Sequence, residues 1–243
     1  MTEHQLPPTN AKSRRYLLGA LPVAALGIAA CGSKQSTGQG GSSESGEAPP
    51  PAPRPDSPTE AIKVLADGNA RFVAREPQIR TVTAVEDLWV GIGKGQSPFA
   101  TVLGCADSRL APELIFDQFV GDIFVVREAG NLAESPTNIG SLEFGHAVLK
   151  SKAIVVLGHS ACGAVQAALE GASPGGNIQS IVDAIRPGVV GAANLDDAIV
   201  RNVRAVMETV RTRSKLLKDA EQAGALKIVG AVYDIKSAVV RFL

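Results

Sequence analysis

Four short runs of β-branched and aliphatic residues govern what this chain can fold into. They are Phe99-Ala-Thr-Val-Leu-Gly104, Asp122-Ile-Phe-Val-Val-Arg127, Ala153-Ile-Val-Val-Leu-Gly158 and the segment from Leu226 to Tyr233. A strand with one wet face alternates apolar with polar residues, whereas an unbroken run reads as a strand covered on both faces. Between the runs, helical periodicity marks Asn138 to Leu149, Ala161 to Leu169, Ile178 to about Val190, and one long stretch from Asp196 to Ala223. Ahead of the first run, Ser57 or Thr59 can cap a helix in which Ala61, Ile62, Leu65, Ala66, Asn69 and Phe72 recur, ending near Ala74. That helix is amphipathic and belongs on the outside of the fold, where it can dock on a partner subunit as a dimer-forming helix. Val239 to Phe242 reads as a short edge strand. Strands alternating with helices predict an α/β fold, a mostly parallel β-sheet flanked by helices.

In such sheets ligands bind beyond the carboxyl ends of the strands, and the unusual chemistry of this chain collects there. Cys105, Asp107 and Arg109 follow the first run, Glu128-Ala-Gly-Asn131 the second, and His159 with Cys162 the third. Singly, each has a plain explanation. A free cysteine packs like a small hydrophobe, a histidine can be a hydrogen-bonded core residue, and two thiols can form one disulfide. Together, two thiols and an imidazole at one sheet end are donors of the kind zinc takes, which makes Cys105, His159 and Cys162 candidate ligands of one Zn²⁺ per subunit. His146 falls inside a helical pattern with Leu142, Phe144 and Leu149, and reads as a core or interface residue.

Asp107 and Arg109, one residue apart, project to the same side of an extended loop and can pair bidentately. The pair either fixes the loop or works at the metal. In the second case Asp107 is a fourth ligand, or it accepts the hydrogen bond of water or hydroxide held there while Arg109 steadies it. Two thiolates cancel the charge of Zn²⁺. Bound water should then be less acidic than at a three-histidine site, where it titrates near ~7, so activity that rises on the alkaline side is expected.

The chain ahead of this domain has a different character. Ser13-Arg-Arg-Tyr-Leu-Leu18 leads into the uncharged apolar run Leu17 to Ala30, which is too short to span a membrane as a helix. The paired arginines resemble a twin-arginine export signal, and Ile28-Ala-Ala-Cys31 resembles a lipobox, whose cleavage leaves a lipidated Cys31 as the new N-terminus. An ordinary secretory signal is the alternative. Residues 1–30 are thus read as the signal, and residues 31–56, rich in Gly, Ser and Pro, as a tether that cannot bury enough apolar area to order itself. The implied location is the outer face of the cytoplasmic membrane, anchored by lipid, or else secretion. Lys plus Arg and Asp plus Glu balance at 24 each, so no field favours nucleic acid.

Cys105-Ala-Asp-Ser-Arg109, Gly121-Asp-Ile-Phe-Val-Val-Arg-Glu-Ala-Gly-Asn131 and Gly158-His-Ser-Ala-Cys-Gly163 resemble the signature blocks of the β-class carbonic anhydrases, a likeness that extends over residues 57–243. The resemblance implies a zinc lyase interconverting carbon dioxide and bicarbonate, built as a homodimer or an assembly of dimers. It also implies Cys105, His159 and Cys162 as ligands, with Asp107 and Arg109 as the orienting dyad. Gln96 matches a glutamine that bonds substrate across the dimer interface. Phe124 matches an aromatic of the carbon dioxide pocket, Ala129 a small residue of its own position, and Gly163 a donor of backbone N–H to the anion. Glu128 stands where the family usually has Asn, and Val102 where a bicarbonate-inhibited branch has Trp, which favours a site open to water. Hydrolysis of carbonyl sulfide or carbon disulfide, and zinc holding by a surface lipoprotein without turnover, are the alternatives on the same scaffold.

Overall fold

The structure, a computed structural model, describes residues 54–78 and 93–243, all within the unit Glu47–Leu243. The expected signal, Cys31 and the tether up to residue 53 lie outside the described residues. Five strands form one sheet in the order β2-β1-β3-β4-β5. They are β1 Ala100–Gly104, β2 Ile123–Arg127, β3 Ala153–His159, β4 Lys227–Tyr233 and β5 Val240–Phe242. The first four run parallel, and β5 closes the edge antiparallel to β4. Every residue of β1 and β3 is buried, which is why their sequences carry no alternation. In register, Gly104 lies beside Arg127 and Leu157, so the segments after β1, β2 and β3 emerge at one end of the sheet.

Helix α1, Pro58–Ala74, starts at Ser57 in a capping box with Glu60 and with proline in its first turn. Its buried stripe, Ala61, Leu65, Gly68 and Asn69, is used on its own chain. A methyl group at Gly68 would stand 1.8 Å from the Phe116 carbonyl oxygen, so only glycine lets the helix come this close. The Asn69 amide donates to the carbonyls of Ile115 and Ala238 at 3.0 Å, and its oxygen accepts from the Val240 N–H at 2.8 Å. These bonds tie α1 to β5 across the chain.

Pro112–Ile115 forms a single turn, α2, that sequence periodicity is too short to reveal. Helix α3, Pro136–Glu143, is capped by Ser135 and passes into a π-turn over Phe144–Val148, so the predicted helix changes pitch at Phe144. Helix α4 is Gly163–Leu169 and α5 is Ile178–Val189. The single long helix expected over 196–223 is in fact two, α6 Leu195–Arg213 and α7 Lys215–Gln222. Ser214 breaks it: its backbone is extended at φ −121°, its hydroxyl accepts from the Leu217 N–H, and it donates to Glu143 at 2.5 Å. A serine side chain that competes for backbone and carboxylate partners ends one helix and caps the next. Leu103, Ile154, Leu157, Ile185, Ile199 and Leu217 are completely buried between sheet and helices, and each contributes about 1.5–3 kcal/mol of apolar transfer. No described helix is long and apolar enough to cross a membrane.

Candidate metal centre

Three chain segments deliver three ligating atoms to one place. Cys105 follows the last residue of β1, His159 is the last residue of β3, and Cys162 is the N-cap of α4. The Ser160-Ala161 link between the last two is held tightly. Ser160 donates its N–H to the Tyr233 carbonyl, its hydroxyl accepts from Ile235, and Ala161 takes a left-handed φ of 54°. A residue with a Cβ adopts that conformation only where surroundings impose it. It also delays the start of α4 from the predicted 161 to 163.

The sulfurs of Cys105 and Cys162 and a ring nitrogen of His159 lie within 4.8 Å of one another, and all three residues are buried. Zinc at ~2.3 Å from sulfur and ~2.0 Å from nitrogen places tetrahedral donors about 3.5–3.8 Å apart, so the cluster has the size zinc requires. His159 supplies a second test. Its Nδ1 lies 3.0 Å from the Ser160 carbonyl, which fixes the proton on Nδ1 and leaves the lone pair on Nε2. That Nε2 is fully buried and has no hydrogen-bond partner. An orphaned buried acceptor facing two thiols is the arrangement a soft cation satisfies.

The two buried thiols push one another's acidity in opposite directions. Cys105 is pulled far down as a thiol acid by its contact with the Cys162 thiol, against its own desolvation, and then by the neighbouring His159 ring and the N–H groups of Asp107 and Gly130. The Gly130 N–H lies 3.3 Å from the Cys105 sulfur. Cys162 is pushed up, first by its contact with Cys105 and then by burial. A divalent cation would displace the thiol protons.

Asp107 and Arg109 sit at the rim. Arg109 Nε and Nη2 reach the two carboxylate oxygens at 2.9 and 2.7 Å, and the Arg109 N–H adds a third bond at 2.9 Å. This fork holds the Asp107 carboxyl well below its usual range, against partial burial. Asp107 Oδ2 is 4.0 Å from His159 Nε2, so the dyad borders the cluster without joining it. Arg109 also reaches the Ala161 carbonyl at 3.3 Å, linking the dyad to the turn that carries Cys162.

The other predicted residues are more dispersed. Ala129 lies in the short 3₁₀ turn Ala129–Asn131 beside Cys105, and Gly163 opens α4 with clear space where a side chain would be. Phe124 pairs in register with Thr101, about 10 Å below the end of the strand, and its ring lies 6.2 Å from that of Phe144. Within one chain it is not brought to the thiols. Gln96 is exposed in the loop before β1. Glu128 does not face the cluster unpaired: its carboxylate accepts from the Asn138 amide, and its pKa is raised by burial and then by the charge of Glu134.

Two residues of the site were not anticipated. Arg127 donates to the carbonyls of Cys105 at 3.0 Å and Asp107 at 2.7 Å, pinning the first motif from the neighbouring strand. Its signal was a charge closing an apolar strand at the reactive end. Asn202 is a buried asparagine on an otherwise apolar face of α6, and it donates to the Gly130 carbonyl at 3.0 Å. A polar residue amid Ala198, Ile199, Val203 and Val206 was the sign available for it.

With this geometry in hand, comparison with known proteins is informative. Residues 100–240 match the family model described as "Carbonic anhydrase". Carbonic anhydrase 2 of Mycobacterium tuberculosis is 40% identical over 188 residues, covering 74% of this chain and 89% of that protein. A carbonic anhydrase of Mycolicibacterium smegmatis is 38% identical over 188 residues, covering 74% and 90%. Among solved structures, the β-carbonic anhydrase CcaA aligns with a TM-score of 0.60 at 27% identity, covering 74% of this chain and 94% of the other. The β-carbonic anhydrase CafA of Aspergillus fumigatus aligns at 0.61 with 25% identity, covering 75% and 90%.

Proposed function

Because the chain belongs to the β-class of the carbonic anhydrase family, we propose that it catalyses the reversible hydration of carbon dioxide to bicarbonate and a proton, at zinc held by Cys105, His159 and Cys162. The observation that carries the reading is the buried, unpartnered His159 Nε2 clustered with the thiols of Cys105 and Cys162. Zinc, when bound, supplies a Lewis acid that lowers the pKa of water and makes it a nucleophile. The chain's own residues do the rest. Cys105 and Cys162 provide anionic sulfur, and the Ser160 carbonyl, accepting from Nδ1, keeps the imidazole of His159 turned with Nε2 toward the two sulfurs. Asp107, ionised and held by Arg109, accepts the O–H of the attacking water and directs its lone pair at carbon. The Gly163 N–H, in the first turn of α4, would donate to the anionic product. The proton leaves to buffer.

A homodimer fits the surface. Among the described residues strand β2 pairs on one side only, and Val120, Phe144 and Val148 beside it are half-exposed apolar residues. Covering that face with a second copy would also give exposed Gln96 a substrate to bond. The N-terminal segment is read as an export signal with lipidation at Cys31, placing the enzyme outside the cytoplasmic membrane; mass spectrometry of the mature N-terminus decides this. Stopped-flow hydration of carbon dioxide by the full-length chain, with Cys105→Ser as control, tests the activity. Sulfide release from carbonyl sulfide or carbon disulfide without hydration would move the assignment to those substrates. Full zinc content with neither activity would leave a zinc-holding lipoprotein.

A further inference from the structure

Cys105 is held by more than the strand that carries it. Its sulfur receives the Gly130 N–H at 3.3 Å in a buried bond. Gly130 lies in a three-residue turn with φ 73° and ψ 14°, and Glu128 at the head of that turn makes no side-chain cap. Glycine has more freedom to lose than any other residue, and although the Asn131 N–H closes the turn on the Glu128 carbonyl at 2.8 Å, the Gly130 peptide at its centre gains further hold from contacts outside it. A methyl group there would meet Ile185 Cδ1 at 2.7 Å, so packing bounds Gly130 on the α5 side. From α6, the Asn202 amide reaches its carbonyl at 3.0 Å.

Asn202 is itself anomalous in its helix. It is 2% exposed on a face whose other buried members are Ala198, Ile199, Val203, Val206 and Val210. An amide in an apolar layer is costly unless its hydrogen bond does something an aliphatic side chain could not. Here the bond fixes the residue whose N–H meets a metal-ligating sulfur.

We propose that Asn202 is a positioning residue of the metal centre: by holding the Gly130 carbonyl it keeps the Gly130 N–H aimed at the Cys105 sulfur, and so sets how strongly that thiolate donates to the metal. The inference rests on the zinc reading above. An N–H bonded to a thiolate withdraws charge from the sulfur, and outer partners of this kind change metal affinity by about 10–100-fold when lost.

The test uses the full-length chain loaded with Co²⁺, whose thiolate-to-cobalt absorption reports the sulfur directly, alongside zinc affinity by chelator competition. Asn202→Leu, close in volume but without the donor, is expected to shift the thiolate band and weaken zinc by roughly tenfold. Val210→Ala, on the same buried face farther along α6, is expected to lower the melting temperature and leave band and affinity unchanged. A wild-type band and affinity in Asn202→Leu overturns the proposal, as does an equal change in Val210→Ala. Should Asn202→Leu fail to fold, Asn202→Ser, too short to reach Gly130, carries the same expectation and the same refutation. Failure of the wild-type chain to show any thiolate band on cobalt uptake would instead sink the zinc reading, and this inference with it.

Discussion

Replacing Arg127 by lysine separates holding the fold from holding the metal. The guanidinium spans two carbonyls, Cys105 at 3.0 Å and Asp107 at 2.7 Å, and a lysine ammonium cannot reach both in that geometry. Hydrogen bonds from charged groups contribute about 1.5–3 kcal/mol each, and Arg127 is exposed enough for water to replace part of that. A loss of about 1–2 kcal/mol in the metal-free protein follows, or roughly 3–6 °C in melting temperature for a folded unit of this size. The carbonyls belong to the segment that carries Cys105, so metal affinity should fall too, by about tenfold at the lower end for an outer-shell partner. At fixed free zinc, that tenfold appears as a further ~1.4 kcal/mol of lost stability. Melting curves of wild type and Arg127→Lys, each with excess chelator and with buffered zinc, read both quantities. The deficit should be clearly larger with zinc. Equal deficits would refute the claim that Arg127 positions a ligand, and no deficit would refute the hydrogen bonds themselves.

Gly68→Ala forces a methyl group into the Phe116 carbonyl, which backbone cannot yield cheaply; about 3 kcal/mol of stability should be lost, and a melting temperature within 2 °C of wild type would contradict the close approach of α1. Glu128→Gln tests the raised pKa at that carboxyl. A carboxyl raised on folding binds its proton more tightly when folded, so its ionised form is a cost at neutral pH that disappears below the unfolded value of ~4.3. The variant, which can still accept from Asn138, should melt higher than wild type at pH 7 and equal to it near pH 4; a gain that persists in acid would reverse the sign argued here. Hydration activity should rise through the alkaline range because two thiolates reduce the acidity of metal-held water, and a profile flat from mildly acid pH upward would count against the Cys-His-Cys donor set.

The centre of the parallel sheet, β1 and β3, was legible because it is buried on both sides: Val102 and Val155 are buried whichever way they point, so their runs carry no alternation, while β2 and β4 are only partly covered. The metal cluster was legible for a related reason, since strand ends in such sheets are where ligands bind and the thiols and the imidazole fall there. Where sequence reasoning went astray, the decision was made by a contact with a distant partner. Ser214 ends α6 because Glu143, 71 residues away, receives its hydroxyl. Arg127 and Asn202 look like an ordinary surface charge and a helix polar residue until the fold brings one to the Cys105 carbonyl and the other to Gly130. Periodicity sees faces, and these are individual bonds.

Asp107 shows how the two kinds of information combine. The spacing of Cys105, Asp107 and Arg109 allowed the carboxylate either to ligate the metal or to accept a hydrogen bond beside it, and nothing in the motif chose. In the fold both carboxylate oxygens are taken by Arg109, through its two side-chain donors and its own N–H. Arg109 in turn is held against the Ala161 carbonyl, on the strained turn between His159 and Cys162. Turning Asp107 toward the metal position therefore means breaking both arms of the fork and leaving a guanidinium beside the cluster without its anion. Val102 adds the absence of a bulky aromatic that could accompany such a turn, since it is a fully buried strand residue packed in the core. The dyad and the turn thus favour the proposed reading, in which Asp107 stays an acceptor at the rim and would leave a position on bound zinc to water.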